Sequence, residues 1–299
     1  MHREPLDWLL LVYLAVAWGL SFFLIAVALN DFPPFTLVAL RLSSGCLALW
    51  MIMVGLRLKL PRQWAWWGRF AILAVLGNVI PFSLITWAEQ TISSSLAGTL
   101  MALMPLMVLL MAPFFLSTEP FTLPKLLGVL LGLLGVVILL GGGGVDEPDP
   151  GVFLAQMAVI LAALFYTITS IYTKRLPPQP VIVMGAGTLM MGTLMIWPLA
   201  LWWEQPWTLK PSANAVLAVL ALGVFASGLA NWVYFAIIHR QGPGFLSMIN
   251  YMIPVIAYLA GVLLLAEPVL RLHLLALGLV LMGIALAQMR RRHRRYATR

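Results

Sequence analysis

Ten stretches of about 20 apolar residues, each the length that spans a bilayer, follow one another along the chain with short polar breaks between them. They lie near 8–29, 35–55, 66–87, 96–116, 123–141, 152–173, 181–203, 213–235, 245–265 and 270–288. Only helices and closed barrels satisfy every backbone group in hydrocarbon, and barrel strands would be half as long with alternating polarity. The pattern therefore predicts an all-α polytopic membrane protein with ten transmembrane helices. Composition agrees: 62% of residues are hydrophobic and 9% charged, against roughly 45–50% and 25% in soluble domains. Little chain is left for a soluble domain. The first run follows "MHREPLDW", and Ala26-Val27-Ala28 has the look of a cleavage site. Its apolar core is too long for a signal peptide and nine more spans follow, so it reads as a retained helix.

A second pattern lies over the first. "ALMPLMVLLMAPFFLSTEP" (102–120) carries Pro105 in mid-span and closes on Glu119-Pro120. "YMIPVIAYLAGVLLLAEP" (251–268) repeats this with Pro254 and Glu267-Pro268. Such a proline removes a backbone donor and frees the carbonyl four residues back, here on Met101 and Asn250. Backbone of that kind is tolerated at membrane depth where it is buried in protein or lines a cavity. Between the two halves runs the glycine-rich, acidic segment "GGGGVDEPDPG" at 141–151. With five crossings in each half, the second half enters from the opposite face. The division is a five-helix repeat at 1–140, a linker at 141–151, an inverted five-helix repeat at 152–289 and a basic tail at 290–299. Inverted repeats of this kind characterise secondary transporters with a site near the midplane. Pro105, Pro254, Glu119 and Glu267 are then candidate kink and gating residues.

Charge orients the ten spans. Of the 18 Lys and Arg, 15 fall at the amino terminus, in the even-numbered loops or in the tail "RRRHRRYATR". Asp31, Glu89, Asp146, Glu147, Asp149, Glu204 and Glu267 fall on the other side. The first side is the basic face, the second the acidic face. The positive-inside rule places the basic face, with both termini, in the cytoplasm. The tail then meets anionic headgroups rather than nucleic acid. The single Cys46 lies within a span, forms no intrachain disulfide and carries no information on compartment.

Trp18-Gly19 in the first helix, Arg41 in the second, the prolines and Glu-Pro pairs of the fourth and ninth, and the glycine-rich "GVLLGLLGVV" and "LALGLVLMGIAL" form an ordered set. In that order the chain resembles the drug/metabolite transporter superfamily, EamA type, over nearly its whole length. Within that group the resemblance is to the YddG-like amino acid exporters of bacterial inner membranes. It implies export of neutral and aromatic amino acids and related small metabolites, with broad specificity, by alternating access.

The residues bear on substrate by what the spans lack: no Asp, Glu or Lys lies deep in any of them. Lipophilic cations commonly need a buried carboxylate, and phosphorylated compounds need buried cationic partners. What remains to line a pocket is neutral or aromatic: Trp18, Ser21, Asn78, Phe82, Trp87, Thr99, Tyr166, Asn231, Tyr234, Asn250 and Tyr251. Amides and hydroxyls suit the two ends of a zwitterion, and aromatic faces accept an ammonium or a side chain. The alternative for Trp87 and Tyr234 is a lipid interface or a packing seam. Arg41 is the one deep charge, and it either pairs with Glu89 or receives a substrate carboxylate. No metal-ligand cluster, cofactor motif or nucleophile with a base is evident, so no enzyme is expected. A multidrug or cation exporter and a flippase for lipid-linked substrates stay open, as do monomer and homodimer.

One measurement checks the orientation. Single cysteines in the basic loops and tail should react only from the cytoplasm, and cysteines in 141–151 only from outside. A linker reachable only from the cytoplasm would overturn both the span count and the inversion.

Overall fold

A computed structural model describes residues 4–115, 122–141, 149–241 and 243–288. Glu119-Pro120, most of the 141–151 linker and the 290–299 tail lie outside the described residues. The first half holds α1 (Pro5–Ala28), α2 (Pro34–Gly55), α3 (Trp64–Ala88), α4 (Ser94–Phe115) and α5 (Leu123–Gly141). The second holds α6 (Pro150–Thr173), α7 (Val181–Trp203), α8 (213–241), α9 (243–264) and α10 (Arg271–Gln288). Eight of these helices meet the length of a full span, while the α9 and α10 helices are shorter and equally apolar.

Local chemistry sets where helices begin. Proline occupies the first turn of α1, α2 and α6, where its missing donor costs nothing. Ser93 and Ser212 cap α4 and α8 by accepting the Leu96 and Ala215 amides. Leucines on the outward sides of α5 and α10, such as Leu130, Leu134 and Leu275, are exposed, as a lipid-facing wall requires.

The helices that carry Pro105 and Pro254 are both broken, and in each the break precedes that proline. Helix α4 stops at Met101 and restarts at Leu103, leaving Pro105 in the first turn of the second piece. Helix α9 consists of Pro243–Leu246 and Ile249–Leu264, with Pro254 inside the longer piece. A further matched feature carries no mark in the residue pattern. The third helix of each half opens into a π-helical turn, Val75–Val79 in α3 and Leu222–Leu229 in α8.

The halves interleave rather than sit side by side. Helix α1 packs on α8 and α9, and their repeat-mates give α6 on α3 and α4. Helix α2 packs on α8 as α7 does on α3, while α2–α7, α4–α9 and α5–α10 are pairs of repeat-mates. Each of these pairs has its counterpart when every helix is exchanged for its repeat-mate, as an inverted two-fold demands, while the contacts of α4 with α1 and α10 have no counterpart of similar extent. The glycine-rich fifth and tenth helices meet each other. A Cβ at Gly128 would lie 2.4 Å from the Gly283 carbonyl oxygen, and one at Gly283 would lie 2.5 Å from that of Gly128. Without side chains at these points the two backbones approach closely.

That seam gives an ordered expectation. Gly128→Leu and Gly283→Leu must push α5 from α10, and such overpacking typically costs about 1–3 kcal/mol. Gly278 has nothing within 4 Å of its would-be Cβ, so Gly278→Leu should leave the detergent melting temperature unchanged. Equal loss at all three positions would show that the seam is not the constraint.

Candidate functional site

The π-helical turn of α8 is the hub of the interior. Widening the helix exposes its carbonyls to other donors. Trp18 of α1 donates its indole N–H to the Ala226 carbonyl at 3.0 Å, and Tyr13 donates its hydroxyl to that of Phe225 at 3.0 Å. Asn231 bonds the Ser227 carbonyl through Nδ2 at 2.6 Å. Tyr234 lies against Trp18, ring centroids 5.8 Å apart. Trp18 and Asn231 thus each spend a donor on the protein's own backbone.

Ser227 leads to the deep charge. Arg41 is 5% exposed, and its Nε donates to Ser227 Oγ at 3.0 Å. Its guanidinium lies over the Phe82 ring, 3.8 Å from the centroid, and Phe82 meets Tyr166 edge-on at 6.3 Å. A cation desolvated against a ring face gains about 2 kcal/mol. Arg41 feels the field of Glu89 without forming an ion pair with it. Among the described residues, no carboxylate contacts the guanidinium. Asn78, in the π-helical turn of α3, is half-buried, and its amide makes no hydrogen bond among the described residues. Helices α2, α3, α6 and α8 therefore bring Arg41, Phe82, Tyr166 and Ser227 together, with Asn78 on one of the same walls.

The other candidates fall into three groups. Ser21 and Thr99 are buried and bonded to carbonyls one turn back, Ala17 and Ser95. Asn250 and Tyr251 are half-buried, and their backbone amides bond Ser247 and Met248 at the break in α9. Trp87, at 40% exposure, stands on the outer surface at the end of α3, away from the Arg41 cluster's buried side chains. Glu119 is outside the described residues.

Above the cluster, the two halves are joined at the acidic face by carboxylates seated on helix N-termini of the opposite half. Glu267, after α9, accepts from the Ser94 amide and hydroxyl at 2.8 Å each, from the Ser95 amide at 3.0 Å and from the Ser95 hydroxyl. A Cβ on Gly261 would sit 2.3 Å from Glu267 Oε2, so only glycine lets the carboxylate fold back there. Glu204, after α7, accepts from the amides of Phe35 and Thr36 and from the Thr36 hydroxyl at 2.6–2.9 Å. Asp31, after α1, accepts from the amide and hydroxyl of Ser212, which hold its carboxyl below the usual carboxylate range. On the basic face Arg240 of α8 pairs with Asp7 at 2.6 Å and Glu4 at 2.7 Å, which fastens α1 to α8. Sequence reasoning missed Glu204, Asp31 and Asp7 as partners. For Glu204 and Asp31 the one signal was an acid next to a span whose partner helix starts with Ser or Thr close by; Asp7, which meets Arg240, offered none.

Comparison with known proteins follows the same two halves. The model of the EamA-like transporter family matches residues 7–141 and again 150–289. An uncharacterized transporter of Archaeoglobus fulgidus is 26% identical over 287 residues, 93% of this chain and 96% of its own length. The uncharacterized inner membrane transporter YedA of Escherichia coli is 25% identical over 277 residues, 91% of this chain and 87% of its own. A solved crystal structure superposes with a TM-score of 0.71 at 22% identity, covering 96% of this chain and 97% of that one.

The site yields a test of what Arg41 is for. A buried charge without an ion pair carries a desolvation penalty of several kcal/mol, which an apolar residue of similar volume removes. Arg41→Met should therefore keep or raise the melting temperature in detergent while abolishing transport. A melting temperature lowered by several degrees would make Arg41 a structural residue.

Proposed function

The chain belongs to the EamA-like transporter family, and from that premise we propose that it is a secondary exporter of amino acids. It works by alternating access across the bacterial inner membrane, with both termini in the cytoplasm. The observation that carries this reading is the buried Arg41 fork, which no carboxylate of the described protein occupies. A guanidinium is built for two-point recognition of a carboxylate. Phe82 and Tyr166 present aromatic faces and edges beside it, which suit neutral and aromatic side chains. Asn78 supplies an amide for the zwitterion's other end.

The charge balance supports a zwitterion over the alternatives. A phosphorylated substrate calls for more than one buried cation, and Arg41 is the one buried Lys or Arg among the described residues. A lipophilic cation would be repelled by Arg41. The buried Glu89 is the feature that favours a cation exporter as the second reading. The YddG-like subtype enters on the sequence resemblance alone, and the inner-membrane location on the basic-face charge and on YedA. The two broken helices, α4 and α9, are the elements we assign to bending as access alternates, with Pro105 and Pro254 setting the kinks.

Counterflow in proteoliposomes across a panel of amino acids tests the substrate. Neutral and aromatic amino acids should exchange, and lipophilic cations should not; the reverse pattern would favour the cation exporter. Within the panel, Asn78→Ala should raise the half-saturation concentration at least about tenfold, since a hydrogen bond to a charged group contributes roughly 1.5–3 kcal/mol. The melting temperature should hold. Normal affinity in Asn78→Ala would remove that wall from the site.

A further inference from the structure

Five acids of the acidic face are among the described residues; Asp149 caps its own helix by accepting the Gly151 amide, and one of the other four stands apart. Asp31, Glu204 and Glu267 each accept amide and hydroxyl donors at a helix N-terminus. Glu89, one residue beyond α3, does not. Both of its carboxylate oxygens are buried and neither has a partner. The sequence placed it at a helix end; the fold turns that end inward, beneath the Glu267 cap. Two groups act on it most directly. Arg41 reaches toward it from α2 without pairing, and the Glu267 charge stands on it from the α9–α10 turn. Beyond these, Tyr166 of α6 feels the charge of Arg41, and His273 of α10 that of Glu267. Ser94 and Ser95 of α4 are already committed to Glu267.

A bare carboxylate in such a place is costly. Burying an ionised group without hydrogen bonds or an ion pair costs several kcal/mol, and in practice the group takes up a proton instead. Protonation removes the charge, ends the repulsion by Glu267 and leaves a neutral carboxylic acid below the cap. We propose that Glu89 is a proton-binding site, occupied while the acidic face is closed and vacated as it opens, which links proton binding to the transport cycle. Burial first, and the Glu267 charge second, hold its carboxyl well above the usual range against the pull of Arg41. When the acidic face opens, Glu267 must leave α4 and water reaches Glu89, so both causes vanish together. Proton affinity then differs between the two states of the cycle, and that difference is what coupling requires.

The proposal rests on the transport reading only for the second of two tests. The first needs no substrate. In infrared spectra of the purified protein, a protonated-carboxyl band should persist at neutral pH, where an ordinary glutamate is ionised. Glu89→Gln should remove it and Glu89→Asp should shift it. Absence of the band in the wild type, or its survival unchanged in Glu89→Gln, would overturn the proposal; should Glu89→Gln not fold, the wild-type band and Glu89→Asp decide. The second uses proteoliposomes with an amino acid that shows counterflow. An imposed pH gradient should alter net uptake in the wild type and not in Glu89→Gln, whose counterflow should persist. Gradient-driven uptake that survives in Glu89→Gln would sink the coupling role. Absence of counterflow for every amino acid would instead sink the substrate reading and leave the infrared result to decide on Glu89.

Discussion

Carboxylates from one half of the chain cap helix N-termini of the other, and the joining of the halves at the acidic face depends on those contacts. The first amides of a helix have no partner inside it and sit at the positive end of its dipole. Near hydrocarbon they need one from elsewhere in the protein. Glu267 serves α4, Glu204 serves α2 and Asp31 serves α8. Each contact joins the halves, so neither half is complete at this face without the other. The apolar seams beneath, such as the glycine contact of α5 with α10, hold the halves at fixed depth. They say nothing about which end is open.

What the caps enclose is an electrostatic imbalance. Arg41 has one hydrogen bond, to Ser227, and an aromatic face for company, while Glu89 has buried oxygens and no donor. A fold optimised for stability would bring the two together or replace both by apolar residues. Keeping them apart, each incompletely satisfied, leaves one position for an anionic group and one for a proton. The π-helical turns of α3 and α8 contribute to the same end. They turn Asn78 and Ser227 into the interior and expose carbonyls that Trp18 and Tyr13 then occupy.

Much of this fold could be read along the chain, because the bilayer is an unforgiving solvent. Span ends fell within three residues of the helix ends for most helices, and the two mid-span prolines marked the two broken helices. The family resemblance, carried by Trp18-Gly19, Arg41 and the paired prolines, agrees with a model match over both halves. The site was legible only in part. Arg41, Phe82, Tyr166 and Asn78 were recognisable as polar or aromatic residues at membrane depth. Which of them meet depends on helix rotation, and a sequence apolar on all sides does not encode that in its periodicity. Trp87 faces outward for the same reason. The π-helical turns have no residue signature, and the burial of Glu89, read along the chain only as an acid of the acidic face, follows from packing between distant segments.

If the caps close the acidic face, breaking one should open a path to the Arg41 level. Ser83, in α3 beside Phe82, has a buried hydroxyl without a partner, so Ser83→Cys is a nearly isosteric probe. With Cys46→Ser removing the one native thiol, an impermeant reagent added at the acidic face should scarcely react with it. Adding Glu267→Ala removes charge-assisted bonds that contribute roughly 1.5–3 kcal/mol each, so labelling should accelerate about tenfold or more. Equal rates with and without Glu267 would contradict the account at its centre.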